Sequence, residues 1–357
     1  MEVPQVNYEE VRTRGFTIVK GMLGPDLCQR LRDTTDAIVG PIGERSTSVE
    51  LEGEGRHLID PHNSEVFDID HALATHRSVV GSSNYRHGIR HPIFGPDPAC
   101  LAEAALAGNM VEMQKKLLRS GDGLRLMQQQ LVRSDPDPKA AANGSAPNGW
   151  HMDTAFLPKH YGSVPQQNVH HVVTALNTSE HFGATFWLVP NSFAQSKARG
   201  ESMPPEERDA LRDSDFRTVL RPLFLSEIDT SEAIEVLLEE GDSCVFDQMT
   251  VHSASSNARQ DYSRYVLFTT FLDISASYAL LPYRGASQHP RKFPPEFRAA
   301  LPEDMQYLLD WDVPEDEGRD KSGSWGMAEN KLDTASSIAQ LEARATATAA
   351  ANEAAKL

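Results

Sequence analysis

The sequence predicts a mainly β protein with flanking helices, in which antiparallel strands form a sandwich or a barrel. Three observations support this fold class. Short β-branched and aromatic segments recur after residue 124, turn residues separate them, and the two clearest helical patterns both precede them. The chain has 357 residues, of which 39% are hydrophobic, so it can bury a substantial core.

The N-terminal part is predicted to contain one strand and three helical segments. Residues 7–11 form a short polar helical segment, and residues 15–19 have the β-branched and aromatic content of a strand. A helix begins at residues 24–26, where a proline suits the first turn, and its leucines follow at helical spacing. A further helix is predicted over Pro98–Leu118, with its methionines on an apolar face that packs in the core.

The stretch between these helices is rich in charged and small residues, and its pattern predicts no regular elements. Residues 40–80 contain four histidines whose spacings match no metal motif, so we interpret them as solvated or loop side chains. Residues 84–94 hold two arginines and two histidines, a cluster suited to an anionic substrate group. Pairing with surface carboxylates is the alternative that we favour for this cluster.

The second half of the chain alternates strand patterns with turns. Residues 134–149 are predicted to be a loop, residues 193–232 to be charged and helical or irregular, and residues 253–261 to be a polar loop. The predicted strands cover residues 124–132, 169–176, 184–190, 234–238, 244–252 and 263–271.

The sequence Trp150-His151-Met152-Asp153 and the distant His252 are the strongest candidates for a functional site. His151 and Asp153 are two residues apart, and in a strand both side chains would lie on the same face. With His252 they would provide two imidazoles and one carboxylate, which suits non-haem Fe(II) and leaves metal positions open. A simple hydrogen-bonded pair of His151 and Asp153 at the exit of a loop is the alternative interpretation.

Composition excludes several other classes of function. The net charge of −17 argues against nucleic acid or an anionic membrane surface as a partner. The three cysteines are far apart and form no CxxC pair, which argues against a thiolate zinc site and fits a reducing compartment. Residues 1–5 lack the features of a signal peptide, and no apolar run is long enough for a membrane span, so we expect a cytoplasmic protein.

Arg264 opens the last predicted strand, and an apolar run follows it. A buried guanidinium there needs an anionic partner and can bind a carboxylate with two hydrogen bonds. Pairing of a surface Arg264 with the preceding acidic loop is the alternative.

These motifs in this order resemble the phytanoyl-CoA dioxygenase-like (PhyH) family of Fe(II)/2-oxoglutarate-dependent oxygenases. The resemblance extends from about Gly15 to Asp273 and is carried by WHMD at 150–153, LVPNS at 188–192, EEGDSCVFDQMTVHSASSN at 239–257 and SRYVLFTTF at 263–271. It implies a double-stranded β-helix (jelly-roll, cupin-like) core, Fe(II) held by His151, Asp153 and His252, and 2-oxoglutarate held by Arg264.

The sequence departs from the family pattern at secondary co-substrate contacts. Ala254 stands where a Ser or Thr is frequent, and Val173 where the family has a tryptophan. Gln130 and Thr185 are the predicted substitutes, and Gln128 is a third possible one.

The resemblance implies a dioxygenase that uses O2 and releases succinate and CO2 while it hydroxylates, desaturates or cyclises an unactivated C–H bond. We expect a small organic substrate, a secondary metabolite. The carboxylate of Asp153 argues against halogenation, because related halogenases have Ala or Gly at that position. Two alternatives keep the same strand pattern: a cupin-like ligand-binding module, and a Zn-dependent hydrolase that uses the same three ligands.

One oxygenase domain is expected over residues 1–321. Its β-helix core would cover about 120–275, with lid insertions at about 40–95 and 193–232. Residues 322–357 are Ala-rich and are predicted to be a helical or flexible tail.

Overall fold

A computed structural model gives the architecture of the chain. It describes residues 5–39, 48–51, 55–59, 65–68, 86–90, 97–143, 147–152, 169–192, 194–195, 198, 202–207, 228–273 and 295–310. The predicted tail at 322–357 and most of the two predicted lid insertions lie outside these ranges.

Thirteen strands are present in the described ranges. They are β1 (Phe16–Val19), β2 (Ser48–Leu51), β3 (Gly55–Ile59), β4 (Glu65–Asp68), β5 (Arg86–Arg90), β6 (Leu124–Ser134), β7 (Asn148–His151), β8 (Val169–Ala175), β9 (Phe186–Leu188), β10 (Ile234–Val236), β11 (Ser243–Asp247), β12 (His252–Ala254) and β13 (Arg264–Asp273). The helices are α1 (Tyr8–Arg14), α2 (Pro25–Val39), α3 (Pro98–Leu106), α4 (Met110–Leu118), α5 (Pro138–Asn143) and α6 (Pro295–Ala300). The prediction of a mainly β protein with flanking helices is therefore confirmed.

The strands form two sheets. Nine strands make the larger sheet, in the order β1-β11-β8-β13-β6-β5-β4-β3-β2, and four make the smaller one, in the order β10-β9-β12-β7. Pairing is antiparallel throughout the described strands except between β4 and β5, which are parallel. Several neighbours, such as β1 and β11 in the larger sheet and β7 and β12 in the smaller one, are far apart along the chain, so the topology brings distant residues into register.

Two hydrophobic clusters occupy the two faces of the larger sheet. On the outer face, Val172 and Leu267 pack against apolar side chains of α2, α3 and α4. On the inner face, Val173 and Val266 pack with Phe186 of the smaller sheet. Because successive side chains in a strand point to opposite faces, β8 and β13 contribute alternate residues to each cluster.

The helix predicted over Pro98–Leu118 is instead two helices. α3 ends at Leu106 and α4 begins at Met110, with one 3-10 turn between them in which Gly108 has φ 57°. Glycine adopts this left-handed conformation without steric cost, and a Cβ there would collide with Met22. The methionines of α4 are buried in the outer cluster, as predicted.

The strand predicted over residues 244–252 is also divided. β11 ends at Asp247, a buried turn follows, and β12 begins at His252 in the other sheet. The turn forms because the Asp247 carboxyl accepts the Met249 amide hydrogen, which competes with continued strand pairing. The predicted loop at 134–149 likewise contains α5 and the start of β7, and three strands, β2, β3 and β4, lie within residues 40–80.

No helix within the described ranges has the length and apolar character required to cross a membrane.

Candidate active site

His151 and His252 are neighbours in the smaller sheet. They end β7 and begin β12, and the antiparallel register pairs them directly. Their ring centroids lie 4.3 Å apart with the planes inclined at 51°. Sheet topology therefore places next to each other the two imidazoles that the sequence pattern predicts as candidates for a functional site.

A backbone carbonyl orients each of these two rings. His151 Nδ1 lies 2.8 Å from the carbonyl oxygen of Gly149, and His252 Nδ1 lies 2.9 Å from that of Thr250. A carbonyl oxygen only accepts hydrogen bonds, so Nδ1 carries a hydrogen in both rings, and the neutral form of each ring would have its lone pair on Nε2. Histidine ligands of metals in proteins are commonly fixed in this way.

Aromatic side chains surround His252 on the inner face. The ring centroids of Phe246 and Phe186 lie 5.0 Å and 5.4 Å from that of His252. His252 is 4% exposed, whereas His151 is partly exposed. An apolar wall of this kind limits the access of solvent to a metal site.

Asp153, the carboxylate of the predicted ligand set, lies outside the described residues. Its neighbour Met152 is 2% exposed and is the last described residue before the gap.

Arg264 is the first residue of β13 and is 5% exposed, which confirms its predicted burial. It is two residues before Val266, a member of the inner cluster, so its side chain leaves the sheet on the inner face. Its Nη1 donates a hydrogen bond to the carbonyl oxygen of Ala184 at 2.6 Å. This bond restricts the orientation of the guanidinium.

The loop that provides the Ala184 carbonyl is held by Glu235 of β10. The Glu235 carboxylate accepts hydrogen bonds from the amide of Phe182, from the Thr185 hydroxyl and from His181. Phe182 and Ala184 both have positive φ, 61° and 60°, so the loop is conformationally strained and needs such support. Burial alone would raise the pKa of Glu235, but the three hydrogen bonds lower it below its ordinary value.

Gln130 lies on β6, opposite Phe268 of the inner cluster, and is 6% exposed. Its Oε1 accepts a hydrogen bond from Gln128 Nε2 at 3.3 Å, and its own Nε2 is buried with no acceptor among the described residues. Thr185, the other predicted substitute, is fully buried, and its hydroxyl donates to Glu235.

The predicted opposite orientation of the adjacent His170 and His171 is confirmed. His171 Nδ1 lies 2.9 Å from Thr270 Oγ1, and its ring packs on Phe246 at the inner face. His170 Nδ1 lies 3.1 Å from Gln114 Oε1 of helix α4 at the outer face. Sequence reasoning did not select Glu235, Phe246 or Thr270, although strand alternation from Val266 along β13 would have placed Thr270 on the inner face.

The fold and the site together define a mainly β protein in which His151 and His252 pair across β7 and β12 and Arg264 is buried at the start of β13. The profile of the phytanoyl-CoA dioxygenase (PhyH) family matches residues 11–265, well over half of the chain. The chain therefore belongs to this family and is an oxidoreductase.

Several solved structures are similar to this chain at low identity. EvdO2 from Micromonospora carbonacea var. aurantiaca, complexed with 2-oxoglutarate, is 16% identical over 76% of this chain and 94% of its own, with a TM-score of 0.43. AviO1 from Streptomyces viridochromogenes Tue57 is 17% identical over 75% and 94%, with a TM-score of 0.43. EctD from S. alaskensis, with 2-oxoglutarate and 5-hydroxyectoine, is 14% identical over 75% and 76%, with a TM-score of 0.43. No curated protein sequence matches the chain significantly.

Proposed function

We propose that this protein is an Fe(II)- and 2-oxoglutarate-dependent dioxygenase that hydroxylates, desaturates or cyclises a small organic substrate. Family membership supports the cofactor pair. The observation that carries the proposal is the His151–His252 pair, in which the two residues are register partners and both Nδ1 atoms lie within hydrogen-bond distance of backbone carbonyl oxygens.

The donor set fits Fe(II). Two imidazoles from adjacent strands, with the carboxylate of Asp153 two residues after His151, would provide two nitrogen ligands and one oxygen ligand. When bound with 2-oxoglutarate and O2, such a centre supplies oxidising power for an unactivated C–H bond, with release of succinate and CO2. The Asp153 carboxylate favours hydroxylation, desaturation or cyclisation over halogenation, which needs that ligand position vacant.

Arg264 would hold the distal carboxylate of 2-oxoglutarate. Its buried guanidinium lies on the inner face, and its Nη1 donates a hydrogen bond to the Ala184 carbonyl. This bond fixes the direction of the guanidinium edge that would face the co-substrate. Gln130 would add a hydrogen bond to the co-substrate through its buried Nε2. Thr185 would contribute through its position beside Ala184, because its hydroxyl hydrogen is given to Glu235.

The finer architecture belongs to the same proposal. Two sheets that are antiparallel from β6 to β13 and share an inner cluster support a double-stranded β-helix (jelly-roll) core over about residues 120–275, which we place within one domain over residues 1–321. The apolar wall of Phe186 and Phe246 and the uncharged inner cluster suit a small organic substrate, and we place it among secondary metabolites.

An anaerobic titration of metal-free protein with Fe(II) and then 2-oxoglutarate tests this function. We expect a visible charge-transfer band only when both are present, and succinate release once O2 and a substrate are added. His252→Ala should abolish Fe(II) binding. Arg264→Ala should keep Fe(II) binding but lose the band at co-substrate concentrations that saturate the wild type.

Arg259→Ala is the matched control for the arginine variant. Arg259 is five residues earlier, 41% exposed in its side chain and paired with Glu180 at 2.9 Å, so its loss should leave the band unchanged. Tight zinc binding with no band in the wild type would instead favour a hydrolase, and binding of neither metal would contradict the proposal.

A further inference from the structure

The turn that leads into His252 is buried along its whole length. Gln248, Met249, Thr250 and Val251 are each 1% exposed or less. A buried turn has no water to satisfy its backbone groups, so the protein itself must supply their hydrogen-bond partners. The geometry of this turn therefore depends on a few specific contacts.

Asp247 makes three of these contacts. Its Oδ1 accepts the Met249 amide hydrogen at 2.8 Å, its carbonyl oxygen accepts the Thr250 amide hydrogen at 2.9 Å, and its own amide donates to Gly15 at 2.8 Å. Thr250 in turn provides the carbonyl oxygen that accepts the hydrogen of His252 Nδ1 at 2.9 Å. A continuous chain of contacts thus connects the Asp247 carboxyl to the ring orientation of His252.

The second oxygen of the Asp247 carboxyl faces His170 across the larger sheet. The two residues are register partners on β11 and β8, and Asp247 Oδ2 lies 3.8 Å from His170 Nε2. Both side chains are 0% exposed, and neither of these two atoms has a hydrogen-bond partner among the described residues. His170 is anchored from the other side, because its Nδ1 lies 3.1 Å from Gln114 Oε1.

Burial shifts the pKa values of both groups of this pair. Removal from water lowers the pKa of His170 to about 3, with a further contribution from His171, and it raises the pKa of the Asp247 carboxyl well above its ordinary value. An amide has the same shape as a carboxyl group and keeps an oxygen that can accept the Met249 amide hydrogen.

We propose that Asp247 and His170 form a buried positioning pair that holds the turn at residues 248–251, and through it the ring of His252, in the orientation that metal binding requires. This inference rests on the proposed function, since it assigns His252 as a ligand. Neither residue is assigned as a metal ligand; both would act through the turn and the Thr250 carbonyl. The partners that orient a metal ligand commonly change metal affinity by about 10- to 100-fold when they are removed.

Binding of Co(II) to metal-free protein, followed by its visible absorption, tests the pair without any need for turnover. Asp247→Ala removes the acceptor for Met249, so we expect Co(II) affinity to fall about 10- to 100-fold and the absorption to change shape. Asp247→Asn keeps an acceptor and adds a donor toward His170, so its affinity should stay within about threefold of the wild type. His170→Phe leaves the hydrogen bond from the Met249 amide to Asp247 intact, and its Co(II) affinity should fall about tenfold.

Ser243→Ala is the matched control. Ser243 lies on the same strand as Asp247, and its hydroxyl is 2.7 Å from that of Thr174 on β8, so the variant loses a buried polar contact between the same two strands. We expect its thermal stability to fall while its Co(II) affinity and spectrum do not change. A loss of Co(II) affinity in Ser243→Ala equal to that in Asp247→Ala would overturn the inference, because general destabilisation would then explain both.

The outcomes separate this inference from the proposed function. If the wild type binds Co(II) and His252→Ala does not, but Asp247→Ala and His170→Phe bind like the wild type, only the positioning pair is wrong. If wild type and His252→Ala bind Co(II) equally weakly, the metal site and the pair are both wrong. Should Asp247→Ala fail to fold, the contrast between His170→Phe and Asp247→Asn still decides the question.

Discussion

Replacing Glu235 tests whether the strained loop at residues 181–185 sets the position of Arg264. Glu235 lies on β10, and its side chain is 11% exposed. Glu235→Ala removes the acceptor for the buried Thr185 hydroxyl and for the Phe182 amide. The Ala184 carbonyl, which accepts from Arg264, then lies in a loop that has lost its main support.

The contacts set the size of the effect. A hydrogen bond to a charged acceptor contributes about 1.5–3 kcal/mol, which we assign to the buried Thr185, and the exposed Phe182 amide adds roughly 0.5–1 kcal/mol. His181 is 68% exposed in its side chain and contributes little. Glu235→Ala should therefore lose about 2–4 kcal/mol of unfolding free energy, and Glu235→Gln, which keeps an acceptor, about 1 kcal/mol.

Urea unfolding and 2-oxoglutarate kinetics measure the two consequences. We expect the KM for 2-oxoglutarate in Glu235→Ala to rise roughly threefold to tenfold, which corresponds to about 0.7–1.4 kcal/mol of binding free energy. Glu232→Gln, at an exposed position three residues earlier, is the control. A stability for Glu235→Ala within about 0.5 kcal/mol of that control would refute the role of Glu235 in the loop, since surface substitutions vary by that amount.

The stability difference between the wild type and Glu235→Gln should depend on pH with a defined sign. The folded-state pKa of Glu235 is below its ordinary value of 4.5, so the carboxylate stabilises the folded protein above that pH. This stabilisation is lost as the pH falls through the lowered folded-state pKa. The stability difference between wild type and Glu235→Gln should therefore be full at pH 7 and shrink as the pH falls below 4.5; a difference that grows toward acid would contradict the assignment.

Three further predictions concern stability and reactivity. Arg133→Met should lower the free energy of unfolding in urea by about 3–5 kcal/mol, because it removes the buried guanidinium that pairs with the 2%-exposed Asp135. A loss of less than about 1 kcal/mol would contradict this role of Arg133. Gly241→Ala should lower the free energy of unfolding by about 1–3 kcal/mol, because Gly241 has φ +84° and a Cβ would collide with the Leu23 carbonyl. Gly24→Ala is the control and should leave the free energy of unfolding nearly unchanged, because open space surrounds Gly24. The three buried cysteine thiols, whose pKa values are all raised by burial, should resist a thiol reagent at pH 8 until the protein unfolds; rapid labelling of the native protein would contradict their burial.

The sequence alone was sufficient for the elements whose pattern is local. β8 and β13 follow from runs of β-branched and aromatic residues, and the split between His170 and His171 follows from strand alternation. It failed where a single side chain or conformation overrides the pattern. Gly108 divides a continuous apolar stripe into α3 and α4, and the Asp247 carboxyl ends a strand that the pattern continues.

For the candidate site, the sequence determined the residue types and their order: His151 and Asp153 two positions apart, His252 after a long interval, and Arg264 at the start of a strand. Only the tertiary structure decided that β7 and β12 are neighbours, that carbonyl groups orient both imidazoles, and that Glu235 supports the loop behind Arg264. These relations join residues far apart along the chain. Sheet pairing and burial select them, and neither leaves a periodic trace in the local sequence.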